Sequence, residues 1–357
     1  MKKKKITLAL QGGGAHGAYT WGVLEKLLEE DVLDFRGICG TSAGAANAVV
    51  MVHGLQKGGN KGAIELLEKF WKEVSISTST YIWPAQQFLD NNLFKGNMDY
   101  SPYYQFFSYV TGHLSPSQFN PMGINPFEAI LDKLIDFEEL KTSDVKLFAG
   151  ATNVRTGSPK VFSLPEMSVK ALLASTCLPT IFKTVEINKE YYWDGGYSGN
   201  PPIAPLIYGT DCSDVLLIQI IPLNRDKVPV SVTEISNRVN EISFNTALRT
   251  EMRMLMHKEV LAKSEKKAYF HWISSNHLFN ELDFSSTLNT SWDFFNRLRK
   301  AGRTAAMHWL ESDLAHVGNK TCPMLEELFG QVEKDWMFEM VHKPAIEHQV
   351  NPEKGEG

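Results

Sequence analysis

Short apolar runs alternate with amphipathic ones through the first half of the chain and again around residue 194. Ile6–Leu10, Phe35–Cys39, Lys146–Val154, Lys160–Leu164 and Asp214–Pro222 read as strands. In the last, Val215 to Ile221 is apolar except for Gln219, as expected of a strand covered on both faces. The run Ala18–Glu30, most clearly from Val23, and the segments Ala43–Gly54 and Val169–Ser175 carry the helical period between them. Later, Ile235, Val239, Ile242, Leu248, Met252, Leu255 and Val260 form a stripe along Thr233–Lys267, expected to pack on the core rather than on a membrane. Trp292–Leu310 and Met324–Val341 are further expected helices, and the short end Asn351–Gly357 is polar. The alternation predicts a three-layer α/β/α fold with a central, mainly parallel sheet and additional C-terminal helices, whose ligands bind at strand ends.

One segment breaks this rhythm. Tyr81 to Phe119 holds 11 aromatic residues in 39 and is interrupted by Pro84, Pro102, Gly112 and Pro116. It is expected to form either a satellite hydrophobic cluster or a cover over a site for an apolar ligand. The chain is therefore divided into residues 1–320 as one catalytic domain, with 75–127 as an aromatic-rich insertion or lid candidate, and 321–357 as a C-terminal helix and polar tail.

The chemistry sits in three glycine turns. Gly40-Thr41-Ser42-Ala43-Gly44 falls between an expected strand and an expected helix, where a G-x-S-x-G turn lifts a serine hydroxyl clear of the sheet. Gln11-Gly12-Gly13-Gly14-Ala15-His16-Gly17 follows the first strand and leaves backbone N–H groups uncovered, as an anion site requires. Trp193-Asp194-Gly195-Gly196-Tyr197 holds an aspartate beside aromatics, whose apolar surroundings raise a carboxyl pKa toward that of a general base. The spacing Gly12-x-Gly14-x-x-Gly17 also satisfies a dinucleotide-binding fingerprint. That reading needs an acidic residue closing the second strand, and Cys39-Gly40-Thr41-Ser42 stands there instead.

With these residues in this order, the chain resembles the patatin-like phospholipases, over most of residues 5–310. The bacterial branch is echoed further in Ala151–Gly157, Leu173–Pro179 and Asn200-Pro201-Pro202. The resemblance implies a patatin-like fold and a Ser-Asp dyad, with Ser42 as nucleophile, Asp194 as base and Gly12, Gly13 and Gly14 as oxyanion hole. His16, Gly17, Gly40, Gly44, Gly195 and Gly196 would support the site. His16 stands where the family most often carries arginine or lysine, so an arginine there is expected to be tolerated. A Ser-His-Asp triad is the alternative, but His53, His257, His271, His277 and His308 sit in no motif that aims them at Ser42.

The function expected is hydrolysis of lipid acyl esters as a phospholipase A, lysophospholipase or carboxylesterase. Acyl transfer with the same nucleophile and a non-catalytic lipid-binding module are the alternatives. No metal or cofactor motif is present, and none is expected. A formal charge of −5, from 36 basic and 41 acidic residues, is not that of a nucleic-acid binder. Cys39, Cys177, Cys212 and Cys322 are scattered, as in a reduced cytoplasmic protein. Lys2–Lys5 precede too short an apolar run for a signal peptide and are compatible with peripheral contact at an anionic membrane. Export by a route without a signal peptide is compatible too, and the sequence sets no oligomeric state.

Overall fold

The computed structural model describes residues 2–79, 84–256 and 267–330. Its centre is the strand β1 (Lys4–Leu10), paired in parallel with β2 (Leu33–Thr41) on one side and β7 (Asp214–Ile218) on the other. The parallel ladder continues from β2 to β3 (Lys146–Asn153) and from β7 to β8 (Tyr269–Ile273). Antiparallel strands β4 (Pro159–Ser163), β5 (Val185–Ile187) and β6 (Glu190–Asp194) complete an eight-stranded sheet.

Side-chain alternation along the central strands produces the layers. Ile6, Leu8, Leu10, Leu216 and Ile218 join one buried cluster with Trp21, Leu24 and Val49 from the helices α1 (Gly17–Glu30) and α2 (Ala43–Ser79). Ala9, Val215 and Leu217 point the other way, into a second cluster. There they meet Leu206 and Ile207 of the helix Ala204–Gly209, and Leu248 and Met252 of the helix Val232–Met256. Residues of one strand thus feed two cores with period two, which is a three-layer α/β/α arrangement.

The helix Trp292–Ser312 closes on α1. A Cβ at Gly302 would overlap the Tyr19 carbonyl oxygen, and one at Gly22 would overlap that of Arg299, so the two backbones touch at a glycine on each side. Arg299 holds the buried Glu25 through both carboxylate oxygens and lies 4.4 Å over the Trp21 ring. Arg303 reaches Glu25 at 3.1 Å and Glu29 at 2.8 Å.

Three expectations are corrected. The strand expected to run to Pro222 stops at Ile218, because the Gln11 side-chain oxygen, at 2.9 Å from each, accepts the N–H groups of Ile220 and Ile221 in place of a neighbouring strand. The stripe expected to be buried along Val232–Met256 is buried only at Leu248, Met252 and Leu255. Ile235, Val239 and Ile242 are half exposed, since the inner face there carries Glu241 and Asn245, which pair with Arg225 and Gln11. The helix expected over Ala43–Gly54 runs to Ser79, kinked at Gly58 and Gly59. The expected position Val260, and most of Met324–Val341 with the polar tail, lie outside the described residues. Among those described, no helix is long and apolar enough to cross a membrane. The four cysteines are free, and all but Cys322 are buried.

The glycine contact yields a stability prediction. Gly302→Val must push the helix Trp292–Ser312 off α1 and should lower unfolding free energy by about 1–3 kcal/mol or more, as overpacking does. Urea denaturation checks it, and a variant as stable as the parent would show that the helix is not seated on α1.

Candidate active site

Strand pairing brings together the turns that carry Ser42 and Asp194. β4 pairs with residues 148–152 of β3, β2 with 146–150 and β6 with 151–153. The overlaps put β4 on one edge of β3, and β2 followed by β6 on the other. β2 runs parallel to β3 and β6 antiparallel, so their C-terminal ends meet where Thr41 faces Gly150 and Asp194 faces Ala151. Ser42 and Asp194 are the next residue and the last residue of these two strands.

At Ser42 the backbone has φ of 53°, the left-handed region that costs a side-chain-bearing residue about 1–3 kcal/mol. The neighbours hold it there. The Ser42 N–H donates to Ser175 Oγ at 3.0 Å, and its carbonyl accepts from Ala46 N–H at 3.1 Å in the first turn of α2. A Cβ at Gly44 would overlap the Leu10 carbonyl, and one at Gly40 the Gly44 backbone. Both glycines are therefore required by close approach.

The loop Gly12–Gly17 packs against this elbow. A Cβ at Gly12 would lie 2.5 Å from the Thr41 carbonyl oxygen and 2.8 Å from Ser42 Cβ, and one at Gly17 2.7 Å from Ala43 Cβ. The Gly12 amide is not free to bind an oxyanion, because it donates to Asn200 Oδ1 at 2.7 Å; Asn200 returns a 3.3 Å bond to the Gly12 carbonyl. This corrects the expectation for Gly12, which anchors the loop. The amides of Gly13 and Gly14 find no acceptor among the described residues, and both residues line the cavity beside Ser42.

Asp194 is fully buried. Its Oδ1 accepts the Gly196 N–H at 2.7 Å, while Oδ2 makes no hydrogen bond among the described residues. Burial raises the carboxyl pKa from 3.8 to about 7, opposed by the Gly196 N–H and the nearby Ser42 hydroxyl. The Ser42 hydroxyl completes no hydrogen bond to Oδ2 in this geometry, as is common before a substrate tightens a site. Gly195 and Gly196 are tight positions: added Cβ atoms would overlap the Gly150 carbonyl oxygen and the Phe244 ring.

His16 is buried between Phe279 and Phe294, with ring centroids at 5.3 and 6.4 Å. Its Nε2 lies 2.7 Å from Ser286 Oγ, which donates to the Asp283 carbonyl at 2.6 Å, so the ring nitrogen is the donor. Burial drives its pKa down to about 4, against the Ile220 carbonyl and helped by Arg225. This histidine is neutral at physiological pH and ties the glycine loop to residues 283–287. The burial argues against the expected tolerance of arginine here, since a permanent charge would be enclosed beside Arg225. No other described histidine lines the cavities at Ser42.

Ser42 lies where two cavities join. The smaller, about 60 Å³, includes Gly13, His16, Asp194, Ile221, Phe244 and Asp283. The larger, about 380 Å³, is walled by Ala46, Phe70, Trp71, Tyr103, Tyr104, Phe107, Phe127 and Phe182. The aromatic-rich segment supplies Tyr103, Tyr104 and Phe107 from the helix α4 (Pro102–His113), and Phe127 just beyond, so it faces the serine; its residues 80–83 lie outside the described ones. Among the described residues, no group of three metal-ligating side chains comes together.

The model of the family described as patatin-like phospholipase matches residues 8–207, which contain all three turns. The chain belongs to the patatin-like phospholipase family. Membership supports a lipid hydrolase and does not assign the chain to a branch. No curated protein matches the chain significantly. Among solved structures, it is similar to VipD from Legionella pneumophila at 17% identity and a TM-score of 0.40, covering 87% of this chain and 67% of that one. It is similar to ExoU, in the ExoU-SpcU complex of the Pseudomonas aeruginosa type III secretion system, at 17% identity and a TM-score of 0.39. That match covers 88% of this chain and 52% of ExoU, so the chain spans about half of ExoU's length. Likenesses of this size carry no functional inference.

Several supporting residues were not marked by sequence. Ser175, Asn200 and Gln11 lie in motifs that were noted without a role for these three residues. Gln11 ties the loop to Asn245 at 2.9 Å and to the chain after β7. A polar side chain directly between an apolar strand and the glycine loop was the available signal.

The neutral, enclosed state of His16 separates two substitutions. His16→Gln keeps a neutral donor toward Ser286 and should retain activity within about tenfold. His16→Arg should unfold at lower denaturant by about 1–3 kcal/mol or more, from an unpaired buried charge. Equal stability of the two variants in urea would contradict the burial argument.

Proposed function

We propose that the protein is a serine acyl hydrolase that cleaves fatty-acyl esters of phospholipids or lysophospholipids through a Ser42–Asp194 dyad. Asp194 accepts the Ser42 hydroxyl proton as Oγ attacks the ester carbonyl. The amides of Gly13 and Gly14 donate to the oxygen that becomes negative. The leaving alcohol takes the proton back from Asp194, and a water deprotonated by the same carboxylate then releases the fatty acid from Ser42. The observation that carries this reading is the opening of a strained serine, beside a buried carboxyl with a pKa of about 7, into an apolar cavity of about 380 Å³. An unstrained turn and a solvated aspartate would serve a merely lipid-binding module equally well.

Incubating the protein with phospholipids, lysophospholipids and short acyl esters, and identifying released fatty acid by mass, tests the activity. Ser42→Ala and Asp194→Asn should each lower the rate by about 10³-fold or more, and the double variant should be no slower than the worse single by more than about tenfold. A single variant retaining a tenth of the parent's rate would sink the dyad.

The pH dependence has a definite sign. The base must be ionised, and burial raises the Asp194 pKa from 3.8 to about 7, so kcat/KM should rise with pH through about 7 and then level off. A rate already at its plateau at pH 5 would show that Asp194 is not the titrating base.

A further inference from the structure

The stretch from Tyr100 to Phe127 contains no Asp, Glu, Lys or Arg, in a chain of which 22% is charged. Burial does not account for this. Tyr100, Phe106 and Tyr109 are each 64–68% exposed, Ile124 61% and Met122 82%. Large apolar side chains gathered on one exposed segment mark a contact surface. The other side of α4 carries Tyr103, Tyr104 and Phe107 in the wall of the cavity above Ser42. One helix therefore presents aromatic groups both to that cavity and to the outside.

The chemistry favours a lipid surface as the occupant. Tyrosine and phenylalanine suit the boundary between headgroups and acyl chains. A protein partner would ordinarily meet a polar rim with charged groups around the apolar centre, and this segment supplies no charge. The surface also borders the cavity above Ser42: Tyr103 in its wall is itself 38% exposed, and the exposed Ile124 directly precedes the lining residues Asn125, Pro126 and Phe127. We infer that residues 100–127 are the face by which the protein lies on a phospholipid surface, with Phe106, Tyr109 and Met122 immersed among the acyl chains. The purpose of this contact rests on the proposed lipid hydrolysis, but its existence does not. The segment itself carries no Asp, Glu, Lys or Arg, and the Lys183 ammonium beside it donates to the Pro121 carbonyl at 2.5 Å, so binding to neutral lipid should depend only weakly on salt, unlike attraction through Lys2–Lys5, which salt screens.

The test uses the full chain carrying Ser42→Ala, so that vesicles are not consumed, and co-sedimentation with vesicles of pure phosphatidylcholine. Binding is expected, with an affinity that changes by less than about twofold between about 0.1 and about 0.5 M salt. Adding Phe106→Asp and Met122→Asp should weaken it by about tenfold or more. In the chain with Ser42 intact, the same pair should leave hydrolysis of a water-soluble short acyl ester within about twofold of the parent. As a measurement that removes no apolar side chain, Phe106→Trp should show a blue shift of its added tryptophan emission when vesicles are mixed in. The inference is overturned if the protein stays in the supernatant, or sediments only with anionic vesicles and is released by salt. It is overturned equally if the Asp pair binds as the parent does, if the tryptophan emission does not move, or if the pair instead dissociates a dimer of this chain. Vesicle binding without any ester hydrolysis would refute the proposed activity and leave this surface standing.

Discussion

The arrangement turns on the single edge of β3 that is shared end to end by β2 and β6. Two strands that approach from opposite directions must stop before they collide, and the chain can leave the sheet there only through tight turns. Gly40 and Gly44 make one departure, and Gly195 and Gly196 the other. The residue at each turn is then forced against its counterpart. Ser42 is pressed into a left-handed conformation, and Asp194 is buried with Oδ2 making no hydrogen bond among the described residues. Strain and desolvation, each costly alone, are imposed by the same junction; in the proposed mechanism the desolvation of the carboxylate is relieved when a proton passes from serine to aspartate, while the strained backbone keeps the hydroxyl in place.

The neighbourhood is built to keep that junction rigid. Asn200 fixes the Gly12 backbone from one side, Gln11 is held by Asn245 and the chain after β7, and His16 pins the end of the loop to Ser286. Each of these side chains is buried and hydrogen-bonded. In the proposed mechanism such surroundings would orient the Gly13 and Gly14 amides before any substrate arrives, the condition for electrostatic stabilisation without reorganisation.

Much of this was legible in the sequence, and the limits have physical causes. The parallel strands showed as apolar runs because both of their faces are covered, and the turns at Ser42 and Asp194 showed because glycine clusters have few other uses. The β5–β6 hairpin did not, since Asn188 and Lys189 adopt positive φ in its turn, and lysine is not a residue that announces such a turn. The exposed half of the helix Val232–Met256 was read as buried because periodicity does not say which of two faces a polar network will claim. The role of Gly12 was misjudged for a related reason: which amide is free depends on Asn200, 188 residues away in the chain.

The central claim is that Asp194 activates Ser42, and covalent labelling tests it without depending on the natural substrate. The protein is treated with a fluorophosphonate, digested, and the modified peptide located by mass spectrometry, in the parent and in Asp194→Asn. The account predicts phosphonylation on Ser42 in the parent and a labelling rate lower by about 10³-fold in the variant. Label on another residue, or equal rates in the two proteins, would contradict it.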